Sequence, residues 1–372
     1  MSRAFGCIVG ARPNFMKMAP LLRALEKYDD VHTLLIHTGQ HYDSQLSDVF
    51  FEDLEMRRPD IHLGVGSGSH GRQTAMVLEA VEKVLVDAKA AGRPLDRLIV
   101  VGDVNSTMAA ALAAAKLQIP VAHVEAGLRS FDRSMPEEIN RIVTDVISDQ
   151  LFVSEPSGVE NLRREGHSPD RIHLVGNVMI DTLRSLLPKI RPRETLKRLG
   201  MDVKDFGVVT LHRPSNVDQP DTLAPLLEVL SDVGDTLPIL FPIHPRTQSR
   251  IREFGLESFL RWEGDRRGGL IPLPPLGYRD FLALTSSAKV VITDSGGLQE
   301  ESTALGIPCL TLRPNTERPV TVEEGTSTLV GNDATALRRL LEDVLSGRYK
   351  QGRCPELWDG HAAERIAAIL TA

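Results

Sequence analysis

The residues with the most chemical potential stand where an apolar run stops and a helical pattern begins. In Val290-Val-Ile-Thr-Asp-Ser-Gly-Gly297, followed by Leu298-Gln-Glu-Glu-Ser-Thr-Ala-Leu305, a buried strand ends in Ser295, Gly296 and Gly297, and a helix starts at once. Two glycines let the backbone approach an anion closely, and the N–H groups at the positive end of the helix then face it. An ordinary strand-to-helix turn with Ser295 as N-cap would use the same residues. Glu301, one turn further on, suits the hydroxyls of a ribose, or solvent. Gly10-Ala-Arg-Pro-Asn-Phe-Met-Lys17 sets Arg12 and Lys17 on either side of Pro13, and Arg318 stands in Asn315-Thr-Glu-Arg-Pro319. Cations at a strand's carboxyl end suit a diphosphate, with Arg able to make a bidentate contact; a solvated basic turn is the plainer reading.

Acids recur at similar places. Asp103 follows the run 97–101, Glu125 follows 120–124, and Glu137 and Glu138 follow Pro136 at a helix start. Taken singly, each is explained by the attraction of a carboxylate to a helix N-terminus, about 0.3–1 kcal/mol. Beside candidate phosphate cations, Asp103, Glu125 and Glu137 together make a general acid/base cluster. His212 follows the run 206–211, where a histidine can donate to a phosphate, shuttle a proton, or serve its own loop.

Other signals point away from metals and redox cofactors. Gly66-Ser-Gly-Ser-His-Gly71 matches the dinucleotide spacing, but the strand before it is only about three residues, and no acidic residue ends a second strand about twenty residues later. A flexible loop fits it better. His123 and Glu125 alternate without a third ligand at zinc spacing. There is no HExxH, Walker A or GxSxG motif. Neither metal nor cofactor is expected.

Positioning such residues requires strands that end together. Runs at 4–9, 31–37, 97–101, 120–124 and 150–153 read as strands, with helical patterns between them, notably 71–91 and 108–117. The alternation restarts after about residue 175, with strands at 206–211, 239–241, 290–293 and 308–312 and a helix at 221–234. It predicts two doubly wound α/β domains with parallel sheets, their ligands in a cleft at the carboxyl ends of the strands. The length of 372 residues agrees, at about 150 per domain. A net charge of −7 argues against nucleic acid as the main partner. Three cysteines without CxxC spacing fit a reducing compartment. No segment is long and apolar enough for a signal peptide or a membrane span, so a cytoplasmic protein that does not meet the membrane is expected.

The motifs then coincide with a family. Gly10-Ala-Arg-Pro13, His37-Thr-Gly-Gln-His41, His123-Val-Glu-Ala-Gly-Leu-Arg129, Pro136-Glu-Glu-Ile-Asn-Arg141, Gly176-Asn-Val-Met-Ile-Asp181, His212-Arg-Pro214, Asp294-Ser-Gly-Gly-Leu-Gln-Glu-Glu301 and Thr316-Glu-Arg-Pro319 resemble the non-hydrolysing UDP-N-acetylglucosamine 2-epimerases. Departures are modest: Asn14 replaces a frequent Glu, and Val104-Asn-Ser-Thr107 replaces a threonine run.

The resemblance implies two Rossmann-like domains of the GT-B arrangement. They would span 1–175 and 176–354, with a C-terminal helix at about 355–372 packing back on the first. It implies a homodimer that interconverts UDP-GlcNAc and UDP-ManNAc, supplying ManNAc units for surface polysaccharide. UDP leaves to give 2-acetamidoglucal and then adds back. Asp103, Glu125, Glu137 and His212 are implied as catalytic. Arg12, Lys17, Phe281, Ser295, Gly296, Gly297, Glu301 and Arg318 would bind substrate, and Leu276 would meet the uracil region. Gln40, His41 and Arg72 match a second, activating UDP-GlcNAc site. Rival readings are a GT-B glycosyltransferase, a hydrolysing epimerase, a UDP-sugar sensor, and an epimerase of UDP-sugars bearing a 3-acetamido group and a uronic acid.

Overall fold

Short apolar runs separated by amphipathic helices can be buried on both faces only in parallel sheets, and the computed structural model, which describes residues 2–40, 51–262 and 268–372, has two. The chain divides into two compact units, Met1–Ser185 with Glu356–Ala372, and Leu186–Pro355.

The first unit contains β1 (Arg3–Val9), β2 (Val31–His37), β3 (Ile61–His62), β4 (Arg97–Val101), β5 (Val121–Ala126), β6 (Gln150–Val153) and β7 (Ile172–Leu174). Their order is β3-β2-β1-β4-β5-β6-β7 and every pairing is parallel. The winding direction reverses between β1 and β4, so the loops after these two strands diverge and leave a crevice. The second unit repeats this plan with β8 (Gly207–Thr210), β9 (Ile239–Pro242), β10 (Leu270–Leu273), β11 (Val290–Thr293), β12 (Cys309–Thr311) and β13 (Ser327–Leu329). The order β10-β9-β8-β11-β12-β13 puts its reversal between β8 and β11. Both units are doubly wound, as the sequence predicts.

Helical periodicity translates directly into burial where the face is wholly apolar. The helix Pro220–Gly234 buries Leu223, Leu226, Leu227, Leu230 and Val233 in the second unit's core. The helix His70–Ala90 buries a narrower stripe than its sequence suggests, namely Gln73, Val77, Val81 and Leu85, and Met76 is exposed. The polar Gln73 opens that stripe because its amide donates to the carbonyls of Gln40 and Gly66. Among the described residues no helix is long and apolar enough to cross a membrane.

The last helix, Ala362–Thr371, belongs to the first unit. Its own N-cap residue, His361, makes no side-chain cap. Asp181 does so from a distance, accepting the N–H groups of Ala362 at 3.2 Å and Ala363 at 2.6 Å. The indole of Trp358, fully buried, donates to the carbonyl of Ser154 at 3.0 Å and fixes the approach. Burial pushes the Asp181 carboxyl up to about 6, against the opposing pull of those two N–H groups. The folded chain therefore holds this proton more tightly than the unfolded chain, and stability from this group falls as pH rises from about 4 to 6. Asp181→Asn should flatten that fall: its unfolding midpoint, relative to wild type, rises between about pH 4 and pH 7. Thermal melts at the two pH values measure it, and an unchanged difference would contradict the assignment.

Candidate active site

In the first unit Asp103 stands just after β4 and Glu125 at the end of β5, while the loop after β1 leads into Arg12 and Lys17. Asn14 fastens the first loop: its Oδ1 accepts from Gly10 and Ala11 N–H at 3.2 and 3.0 Å, and its Nδ2 donates to the Val101 carbonyl at 2.8 Å. The helix Arg12–Leu25 thus starts at a fixed height beside the end of β4, with Arg12 as its first residue. One turn on, the Lys17 ammonium meets Glu125 at 2.6 Å, with both side chains buried. The ammonium also lies against Gly102, where φ is +69°; a Cβ there would come within 2.9 Å of Nζ. Only glycine combines that backbone with so close a neighbour. Lys17, read from sequence as a diphosphate cation, therefore has its charge matched by Glu125.

Glu125 is itself unusual. Its φ is +71°, and the β5–β6 register slips between Val124 and Ala126, so the residue sits in a bulge. A non-glycine residue there costs about 1–3 kcal/mol and marks functional sites more often than chance. Asp103 is partly exposed, with Oδ2 held by Arg141 at 2.5 Å. The same guanidinium grips Glu138 at 2.7 Å. Burial opposes the Glu138 charge, but the Ser130 amide and Arg141 outweigh it and hold its carboxyl below the usual range. Glu137, its neighbour, is exposed in the helix's first turn.

Behind these acids runs a second buried cluster. His123 meets Asp145 at 2.6 Å through Nδ1 and the Gly102 carbonyl at 2.9 Å through Nε2. Arg129 meets the other Asp145 oxygen at 2.7 Å. Burial disfavours the Asp145 charge, but His123 and Arg129 outweigh it and keep the carboxyl below its ordinary range. His123 is thus a buried structural partner of the β4 end. Gln40 is also buried, and its Oε1 accepts from the Ser106 amide at 3.0 Å and hydroxyl at 2.7 Å. Arg72 is exposed on the helix His70–Ala90, and its neighbour Gln73 reaches the Gln40 carbonyl at 3.1 Å. His41 lies outside the described residues.

In the second unit the switch-point loops meet through Asp294. Its Oδ1 accepts from His212 Nδ1 at 2.7 Å. Its Oδ2 accepts the amides of His212 and Arg213 at 2.9 and 2.8 Å and Asn216 Nδ2 at 3.2 Å. Burial disfavours that carboxylate, yet His212 and the two amides prevail and hold it below its usual range. The imidazole, about two-fifths exposed, is left with Nε2 as its working atom. His244 lies 5.8 Å away between ring centroids, its Nδ1 accepting the Arg246 amide. Burial, then His212, lower its pKa.

The turn after β11 follows the phosphate-loop pattern. Ser295 makes no side-chain cap; its amide donates to Thr293 Oγ1 at 2.9 Å, and the helix Gly296–Leu305 begins directly. A Cβ on Gly296 would come within 2.8 Å of Arg318 Nη1. Arg318 is buried among Glu300, at 2.8 Å, and Glu317, which also pairs with Arg313 at 2.7 Å. This guanidinium, a phosphate cation by sequence, lies in a charge cluster that shapes the glycine turn. Glu301 is buried rather than solvated and accepts from the Tyr278 hydroxyl at 2.8 Å. Phe281, on the helix Tyr278–Thr285, and Leu276, just beyond β10, are both half-buried. Among the described residues no cluster of His, Cys, Asp and Glu could hold a metal.

Acid groups at the strand ends of one unit, and a glycine turn with a carboxylate-held histidine in the other, mark a protein of the class with two Rossmann-like domains. Comparison with known proteins narrows the class. The family description "UDP-N-acetylglucosamine 2-epimerase" matches residues 23–371. The UDP-N-acetylglucosamine 2-epimerase of Methanocaldococcus jannaschii is 42% identical over 98% of both chains. A crystal structure of the epimerase from that organism with UDP-GlcNAc and UDP has a TM-score of 0.87 at 41% identity, covering 99% of each chain. The UDP-2,3-diacetamido-2,3-dideoxy-D-glucuronate 2-epimerase of Pseudomonas aeruginosa is 36% identical over 98% of both. The chain belongs to the UDP-N-acetylglucosamine 2-epimerase family and shares its GT-B-like fold; it is an isomerase of that family.

Two substitutions separate the imidazole from its support. His212→Ala removes a partly exposed group, so turnover should fall by about 10²-fold while the melting temperature stays within error. Asp294→Asn puts an amide donor where backbone N–H groups already point, so it should lose turnover and also about 1–3 kcal/mol of stability. Steady-state kinetics with urea unfolding measure both; a fully active His212→Ala would return that histidine to its loop.

Proposed function

We propose that this chain interconverts UDP-GlcNAc and UDP-ManNAc by eliminating UDP and adding it back. The observation that carries the reading is Glu125, buried in a strained conformation and fixed by Lys17 at 2.6 Å. A fold retains such strain where a carboxylate must stand at one spot.

The substrate chemistry asks for this. The C2–H of the sugar has no adjacent carbonyl and is not acidic. Breaking the C1–O bond sends its electron pair away with UDP and leaves oxocarbenium character at C1. A carboxylate then takes the C2 proton, the C1–C2 double bond forms, and 2-acetamidoglucal results. Protonation of C2 from the other face, with UDP re-forming the C1–O bond, gives the epimer. Asp103, Glu125 and Glu137 supply acid and base. Arg12, His212 and the amides of Ser295, Gly296 and Gly297 stabilise the departing diphosphate, as preorganised donors do. Arg318 joins them at that turn, and Lys17 binds substrate beside the Glu125 it keeps in place. Glu301 takes the ribose, Leu276 meets the uracil region, and Phe281 binds substrate.

The same reading makes the protein a cytoplasmic homodimer that supplies ManNAc units for surface polysaccharide. It assigns Gln40, His41 and Arg72 to a second UDP-GlcNAc site. A second substrate reading, a UDP-sugar with a 3-acetamido group and a uronic acid, is favoured by the Pseudomonas relative.

Incubation with UDP-GlcNAc alone, followed by NMR, tests the assignment. UDP-ManNAc is expected; free ManNAc would indicate hydrolysis, and an unchanged substrate would favour the modified sugar or a transferase. Asp103→Asn should retain UDP binding and lose about 10²–10⁴-fold in turnover. Glu125→Gln should lose as much, without additivity in the double variant.

A further inference from the structure

One residue beside these carboxylates holds a costly conformation that packing does not explain. Phe131 has φ +59° and is 75% exposed, the most exposed large apolar side chain among the described residues. The left-handed region is unfavourable for a bulky residue, by about 1–3 kcal/mol. An exposed ring recovers none of that by burial.

The conformation is imposed by the groups that hold Asp103. Glu138 Oε1 accepts the Phe131 amide at 2.9 Å, and its Oε2 accepts the Ser130 amide and hydroxyl at 3.0 and 3.1 Å. Arg141 grips that carboxylate with Nε and Nη2 and Asp103 with Nη1. Beyond the ring, Asp132 Oδ1 accepts the Ser134 amide and hydroxyl at 3.0 and 2.6 Å, stiffening the rest of the turn. Glu138, Ser130, Asp132 and Ser134 satisfy one another within the loop, and the ring is its exposed apolar surface. Its negative π face disfavours a phosphate. It suits the C–H face of a pyranose or an acetamido methyl, which it can shield from water and meet by dispersion.

We propose that Phe131 is a substrate-contacting residue, packing on the apolar face of the sugar and set there by the Asp103–Arg141–Glu138 chain. The inference rests on the UDP-sugar reading above and adds to it a residue that recognises the sugar rather than the nucleotide. The strain is then the cost of a preorganised contact.

Phe131→Ala, Phe131→Gly and Phe131→Leu test it, with UDP and UDP-GlcNAc each titrated by calorimetry and KM and kcat measured on UDP-GlcNAc. Ala and Gly should weaken UDP-GlcNAc and raise KM about tenfold, the size of one lost aromatic contact. Leu should lie between them and wild type, and the affinity for UDP should stay within about twofold of wild type in all three. Phe131→Gly should keep or raise the melting temperature, because glycine is at ease at positive φ. Unchanged affinity and KM for the sugar nucleotide would overturn the proposal, as would equal weakening of UDP and UDP-GlcNAc, which would place the ring on the nucleotide. A lower melting temperature for Phe131→Gly would make the ring a packing element and overturn it too. If wild type binds UDP-GlcNAc without epimerising it, the functional reading fails, and the calorimetric comparison still decides the role of Phe131.

Discussion

A carboxylate buried at or beside the end of a parallel strand must meet a cation or a set of N–H donors, or it will not stay ionised there. That requirement organises both units. Glu125 has Lys17, Asp103 and Glu138 share Arg141, and Asp145 lies between His123 and Arg129. Asp294 has His212, and Glu300 and Glu317 enclose Arg318. Removing one member of such a pair leaves a buried charge without a partner, which costs more than the pair itself contributes. These side chains therefore have their partners before any ligand arrives.

Pairing of this kind suits a reaction whose charge appears far from water. In the proposed elimination, negative charge grows on the diphosphate while a proton leaves carbon. The groups that serve each change must be oriented beforehand, since reorienting them during the reaction would add to the barrier. Asp294 holds His212 by Nδ1, and the imidazole stays partly exposed. Arg318 packs on Gly296 and sets the amides of the helix start. The bulge at Glu125 and the left-handed turn at Phe131 show where the first unit accepts backbone strain to fix a side chain.

Much of the fold was legible because its signal is local. The runs at 97–101, 150–153 and 290–293 are β4, β6 and β11 to the residue. The edge strands β3 and β7 are too short to show an apolar run, and β10 is interrupted by Pro272. At the site, residue types at strand ends could be read, but their partners could not. Arg141 is 38 residues from Asp103, Asp294 is 82 from His212, and Ser106 is 66 from Gln40. Topology alone brings these together. For the same reason the sequence does not show the carboxylate partners of Lys17 and Arg318, or the links made by Arg141, Asp294 and Tyr278, although Arg141 and Asp294 lie inside the quoted motifs.

The central claim is that a carboxylate removes the proton from carbon 2 of the sugar and that a proton returns from the opposite face. Conversion of UDP-GlcNAc in D2O, followed by NMR of the product, tests it most directly. Removal by one residue and return by another lets solvent exchange between the steps, so the UDP-ManNAc formed should carry deuterium at carbon 2. Product with hydrogen retained at carbon 2, or deuterium at carbon 3 or 4 instead, would contradict the elimination and the roles given to Asp103, Glu125 and Glu137.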